Sequence, residues 1–200
     1  MKFVNNNVFD KSKHEIDSKK CLMERKKNMP PIILDLRSLD EYKAEHLIGA
    51  HSIPMEALNN NINQIPPYAQ IILYADADDE KTARSAKLLV ENKFSDVSFV
   101  KGGISELLRE LKESKDEVIL SQIPKEEWEK KIEGVLTNKV RPTLAADGGG
   151  LKIVKIDEDK VYINYQGACS GCASAATGTL NFIRNTLSIS LNHEIEVIMA

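Results

Sequence analysis

Ile71-Ile72-Leu73-Tyr74, a segment at 82–92 with apolar residues at Ala83, Ala86, Leu89 and Val90, and Val97-Ser98-Phe99-Val100 follow one another in a single stretch. Each four-residue apolar run has the length and content of a buried strand, and the segment between them repeats its apolar residues with a helical period. Strand, helix and strand in that order predict a crossover unit, which makes the strands parallel and covers the sheet on both faces. Ile32-Ile33-Leu34-Asp35-Leu36, after Pro30-Pro31, adds another strand of this kind. The front half is therefore expected to be α/β, a parallel sheet with flanking helices.

Outward from there, residues 111–123 turn polar and charged (Lys112-Glu113-Ser114-Lys115-Asp116-Glu117), the pattern of a solvated helix end running into a linker. Pro124 opens a new helix, with Glu126 and Glu127 in the first turn where the helix dipole favours acids. Trp128, Ile132, Val135 and Leu136 form its apolar face. Pro142 predicts a kink or restart before Ala145-Ala146, and Asp147-Gly148-Gly149-Gly150 stops the helix. Residues 151–156 and 161–165 alternate apolar with polar around Asp157-Glu158-Asp159-Lys160, a hairpin. A helix with Leu180, Ile183 and Leu187 and a last strand, Ile195-Glu196-Val197-Ile198, complete a small α/β unit. The expected division is 1–113, a linker at 114–123, and 124–200. Asn5-Asn6-Asn7 and Asn59-Asn60-Asn61 read as turns.

The chain has 200 residues, enough for one large domain or two small ones. Its 42% hydrophobic and 28% charged content is that of an ordinary globular protein. A net charge of -3 gives no global attraction to nucleic acid or to anionic membranes, so neither is expected as a partner. No run approaches the roughly 20 apolar residues of a membrane span, and the first residues lack a signal-peptide core. Asp10, Glu15 and Asp17 speak against a transit peptide, and three cysteines make a poor disulfide framework. The expected compartment is the cytoplasm.

Two of those three cysteines stand together in Gly167-Ala168-Cys169-Ser170-Gly171-Cys172, between a strand-like and a helix-like run. At a helix N-terminus, free N–H groups and the dipole favour thiolate over thiol. Four readings are open. Structural zinc needs four ligands, and this unit adds only His193 to the pair. A thioredoxin-like dithiol also lies between strand and helix, but fewer than thirty residues follow Cys172. Two inert buried cysteines are the third reading. The fourth is an iron–sulfur cluster, which takes four thiolates, so that two chains meeting across a two-fold axis would supply the set.

Arg141-Pro142, Ala146-Asp147-Gly148-Gly149, the cysteine segment and Thr179-Leu180 closely resemble the NifU C-terminal domain over roughly residues 126–200. The resemblance implies a scaffold or carrier for iron–sulfur clusters, with Cys169 and Cys172 as ligands and a homodimer when loaded. The cluster would be a cubane (4Fe-4S), with 2Fe-2S as the alternative, and a cysteine desulfurase or apo iron–sulfur proteins would be partners. Ala173 departs from the pattern, because many members have proline there. The rival class is an enzyme or relay, either a dithiol oxidoreductase or a sulfurtransferase with a persulfide on Cys169 or Cys172. A third reading is an adaptor whose front domain docks a desulfurase or a client.

Asp35-Leu36-Arg37, Glu41-Tyr42, His46-Leu47-Ile48-Gly49-Ala50-His51, Ile53-Pro54 and Gly102-Gly103-Ile104 resemble the rhodanese domain, over roughly residues 1–113. In active members a catalytic cysteine follows the central strand, in a loop that cradles a sulfur anion. Here Ala75 takes its place, and Glu45 and Leu107 replace the family's usual glycine and frequent tryptophan. Alanine forms no persulfide, so no catalytic residue is expected. Asp76-Ala77-Asp78-Asp79-Glu80 is expected to repel anions as well. One carboxylate about 7 Å away costs an anion roughly 2 kcal/mol at an effective dielectric near 20, against about 0.3–1 kcal/mol returned by an exposed helix N-terminus. Neither His46 nor His51 is expected to bind a metal, and the resemblance makes His46 structural. Cys21, among Lys19, Lys20, Arg25, Lys26 and Lys27, reads as a thiol on a solvated helix.

Overall fold

A computed structural model describes residues 9–168 and 173–200. The chain forms two compact units, one ending at Glu113 and the other beginning at Ser114.

In order, the first unit has α1 (Lys11–His14), β1 (Glu15–Ile16), α2 (Ser18–Glu24), β2 (Ile32–Asp35), α3 (Leu39–Ala44), β3 (His51–Ser52), α4 (Met55–Asn61), β4 (Ile71–Tyr74), α5 (Asp79–Glu91), β5 (Val97–Val100) and α6 (Gly103–Glu113). Its five strands pair in the order β1-β5-β4-β2-β3, all parallel. The central strand β4 is buried at all four positions, as expected for a continuous apolar run covered on both faces. Leu34, Leu73, Phe99, Ala86 and Leu89 join one core. Full burial of the leucines and Phe99 contributes roughly 1.5–3 kcal/mol each.

Helix starts in this unit are set by side chains. Ser38 caps α3 with a reciprocal Glu41 bond, and Asp78 caps α5. Asn59-Asn60-Asn61 is not a turn: it is the last part of α4, held by Leu58 (0% exposed) and by Asn61 Nδ2 donating to Ala57 O at 2.8 Å. Asn5-Asn6-Asn7 lies outside the described residues.

The second unit contains α7 (Trp128–Val135), α8 (Arg141–Ala146), β6 (Gly149–Asp157), β7 (Lys160–Gly167), α9 (Ala173–Leu191) and β8 (Glu196–Met199). β6 and β7 form the antiparallel hairpin, with a bulge between Ile153 and Lys155, and β8 adds to β7 in parallel. Leu151, Val161 and Ile163 from the sheet meet Ile183, Leu187 and Leu191 from α9 in one core. The stretch read as a linker contributes Leu120, 0% exposed, to that core.

Between α7 and α8 the chain does not break at Pro142. A π-helical turn, Leu136–Val140, joins them, and the Arg141 N–H reaches back to Leu136 O. Proline thereby falls in the first turn of α8, where its missing N–H costs least. Trp128, Ile132, Leu136, Val140 and Leu144 are all buried along this composite helix.

Candidate functional site

Cys169 and Cys172 lie outside the described residues, so the site is built from its two flanks. β7, the middle strand, ends at Gly167, and α9 opens at Ala173, the residue after Cys172. Gly148 follows the end of α8 with a left-handed φ of +71°, and its carbonyl accepts the Ala168 N–H at 3.0 Å. Gly167 has φ +65°, and a Cβ there would stand 2.4 Å from Gly148 O. The α8–β6 turn and the end of β7 therefore meet backbone to backbone, directly before the cysteine segment. Only glycine fits at 167.

Arg141 has a structural role. One guanidinium nitrogen donates to Leu151 O and another to Glu133 Oε1, both at 2.6 Å, tying α7 and α8 to the edge of β6. His193, the candidate third ligand for zinc, lies 2.6 Å from Asp159 Oδ1 and edge-on to Trp128. The described residues contain no group of three or more His, Cys, Asp or Glu side chains able to hold a metal ion.

In the first unit, the position after β4 is Ala75, 7% exposed. Its carbonyl accepts the Ile104 N–H at 2.8 Å, and Gly103, at φ +59°, leaves room for that approach. The acidic loop behind it differs from the repelling array anticipated from charge. Asp78 accepts the Glu80 and Lys81 N–H groups, each at 3.2 Å. The Lys81 N–H in particular holds the Asp78 carboxyl below its ordinary range. Asp79 Oδ1 accepts the Gly102 N–H at 2.8 Å, and Glu80 pairs with Lys11 at 2.6 Å. Donors that could bind an anion at the mouth of α5 are thus occupied by the chain's own carboxylates. The loop's carboxylates are thus turned onto backbone N–H groups and a lysine, not held as an unpaired row of charge.

Asp35, fully buried, takes a two-pronged bond from Arg37 at 3.0 and 2.6 Å, and Arg37 also donates to Glu45 O at 2.7 Å. The Tyr74 hydroxyl accepts the Leu47 N–H at 3.2 Å, and burial pushes that phenol above its usual range. These residues fix the 37–47 segment, α3 included, on the carboxyl end of the sheet.

Family comparison matches residues 18–110 to the rhodanese-like domain and residues 132–198 to the NifU-like domain. The chain joins a rhodanese-like domain to a NifU-like domain. The nitrogen fixation protein NifU of Cereibacter sphaeroides is 44% identical over 59 residues, which are 30% of this chain and 24% of that protein. The centrosomal protein of 41 kDa of Xenopus tropicalis is 26% identical over 106 residues, 49% of this chain and 29% of that one. The chain thus spans less than a third of the length of either relative. Among solved structures, a rhodanese-like domain from Anabaena sp. is 26% identical with a TM-score of 0.44, covering 48% of this chain and 74% of that one.

Within the rhodanese-like domain, Cys21 is not on a solvated face. It is 0% exposed, and burial pushes its thiol up to about 12. The signal was present: Ser18, Cys21, Leu22 and Arg25 recur at helical spacing and are all buried, while the lysines between them draw the eye to charge. His46 stacks on Tyr42 and bonds Tyr42 O at 2.9 Å, and His51 is exposed on β3. No described helix is long and apolar enough to cross a membrane.

Proposed function

We propose that this protein serves iron–sulfur cluster assembly, as a carrier that holds a cluster as cargo and passes it to apo-proteins. The observation that carries this reading is the match of residues 132–198 to the NifU-like domain, with a C-x-x-C pair between β7 and α9. Two soft thiolates per chain are half the donor set of a cubane, so two chains share one cluster and leave it at a subunit boundary. The rhodanese-like domain takes no catalytic part, since Ala75 has no nucleophile, and instead serves recognition of a desulfurase or a client.

Anaerobic reconstitution, read by absorption and Mössbauer spectra with sedimentation, tests this. A brown dimer that loses its iron in Cys169→Ser and in Cys172→Ser, and keeps it in Cys21→Ser, is the expected result. A colourless protein that reduces disulfides, or carries a persulfide on either cysteine, would overturn the reading.

A further inference from the structure

β6 lies at the edge of its sheet, so part of its main chain faces away from β7. Two hydrogen bonds fix which part. Leu151 O accepts from Arg141, off the sheet, and Ile163 O accepts the Ala200 N–H on the β8 side. Leu151 pairs with Tyr165, and Ile153 with Ile163. Ile163 therefore turns its N–H and C=O towards β8, and Ile153, opposite it, turns its own outwards. The register then skips Val154, which is 52% exposed. Ile153 borders an open groove of about 510 Å³ between this edge and α7. Glu129, Lys130 and Glu133 of α7 line it, with Glu126 just ahead of the helix and Arg141 and Lys152 beyond. Arg141 and Glu133 are paired at 2.6 Å. The side chains of Glu126, Glu129, Lys130 and Lys152 make no ion pair or hydrogen bond among the described residues. Two acids and two bases without partners thus share a groove with an outward-facing main-chain donor and acceptor.

We propose that this groove takes a short extended peptide segment of a partner protein, added beside β6 and carrying an acidic and a basic side chain on one face. A sheet edge recognises extended backbone through main-chain hydrogen bonds, and its surroundings read alternate side chains. Charge decides the class of segment. The groove holds equal numbers of acids and bases, so a polyanion such as nucleic acid gains no net attraction there. A wholly acidic or wholly basic peptide meets as many like charges as unlike. A segment of mixed sign can satisfy Glu126 or Glu129 together with Lys130 or Lys152. The length of the added strand is limited on both sides of Ile153. Arg141 already holds Leu151 O, and the bulge at Val154 bends β6 away from a longer partner. The groove's volume is also in the range that encloses a small ligand. This site belongs to the second unit alone and does not depend on the cluster.

The test is titration of the full apo chain, followed by amide NMR shifts, with four pentapeptides acetylated and amidated at their ends: Thr-Lys-Thr-Glu-Thr, Thr-Glu-Thr-Lys-Thr, Thr-Lys-Thr-Lys-Thr and Thr-Glu-Thr-Glu-Thr. At least one mixed peptide should bind with a Kd under about 1 mM, shift the Ile153 amide, and exceed both same-sign peptides by roughly five-fold. N-methylation of two consecutive residues in that peptide blocks both edges of the strand, and should abolish the binding. In Lys130→Glu/Lys152→Glu, both positions exposed, the preference should move to Thr-Lys-Thr-Lys-Thr, with an unchanged amide spectrum elsewhere showing that the fold is kept. No binding by any peptide at about 5 mM would overturn the site. Equal binding by all four would overturn the charge reading, and binding that survives N-methylation would overturn strand addition. Free lysine or free glutamate binding as tightly as the best peptide would make the groove a small-molecule site and overturn the proposal. None of these outcomes touches the carrier reading, which the iron measurements decide.

Discussion

Replacing Gly167 with alanine should weaken the second unit far more than the same change at Gly148, although both glycines have left-handed φ. At Gly148, φ +71°, the new methyl would meet only the Ala168 Cβ, at 3.8 Å. The cost there is conformational, about 1–2 kcal/mol for an L-residue in that region. At Gly167, φ +65°, the same term applies, but the methyl would also stand 2.4 Å from Gly148 O. Backbone must move, and the Ala168-to-Gly148 hydrogen bond is lost with it, adding roughly 0.5–1.5 kcal/mol. The expected totals are about 1–2 kcal/mol at Gly148 and about 1.5–3.5 kcal/mol at Gly167. Asparagine, which tolerates left-handed φ, should cost less than alanine at Gly148. Trp128 is the only tryptophan and sits in the second core, so urea unfolding of the apo chain followed by its fluorescence reports on this unit alone. Equal destabilisation by the two alanines would refute the backbone contact on which the reasoning depends.

Leu120→Ala should cost about 2–5 kcal/mol in the same assay, as for a fully buried leucine; a loss under 0.5 kcal/mol would mean that residues 114–123 are a free linker. Ala75→Cys alone should give almost no thiosulfate sulfurtransferase activity, because Asp78 and Asp79 hold the loop's donors. Adding Asp78→Ser and Asp79→Gly should raise it, and full activity from Ala75→Cys alone would sink the competition argument. Cys21 is neutral in the folded state up to about pH 12, whereas its unfolded value is 9.0. Its contribution is therefore complete below pH 9 and lost as pH rises, at up to about 1.4 kcal/mol per pH unit. Wild type should lose stability more steeply than Cys21→Ala between pH 9 and 10.5, and parallel curves would contradict the burial.

The sequence made the long-range frame of both units legible, for a physical reason. Strands such as Ile71–Tyr74 are buried on both faces and show as unbroken apolar runs, and α9 shows its inward stripe at helical spacing. β1 and β3, two residues each, have no room to display a period and exist only through pairing with β5 and β2. The asparagine tract in α4 was hidden because propensity favours turns while Leu58 decides for the helix. The acidic loop could be counted as charge, but the partners of its carboxylates depend on Gly102 and Lys11, distant in sequence. The cysteine pair was visible as a motif. Of the glycines that seat its root, Gly148 was visible only as a helix breaker and Gly167 only as freedom to turn, because φ and approach distance are not written in residue type.

The π turn ahead of Pro142 also works as a vernier. Trp128, Ile132, Leu136, Val140 and Leu144 recur every fourth residue, and a helix of 3.6 residues per turn would carry such a series about 40° further round at each step. The wider turn takes up part of the accumulated drift, so one side of a seventeen-residue rod stays aimed at the sheet. Length in this segment is therefore fixed to the residue. Shortening it by one position would leave an ordinary helix but swing α8 by about 100°, carrying Leu144 out of the core and the Arg141 fork away from Leu151. Between Trp128 and Ala146, homologous chains should vary in side chain far more readily than in length.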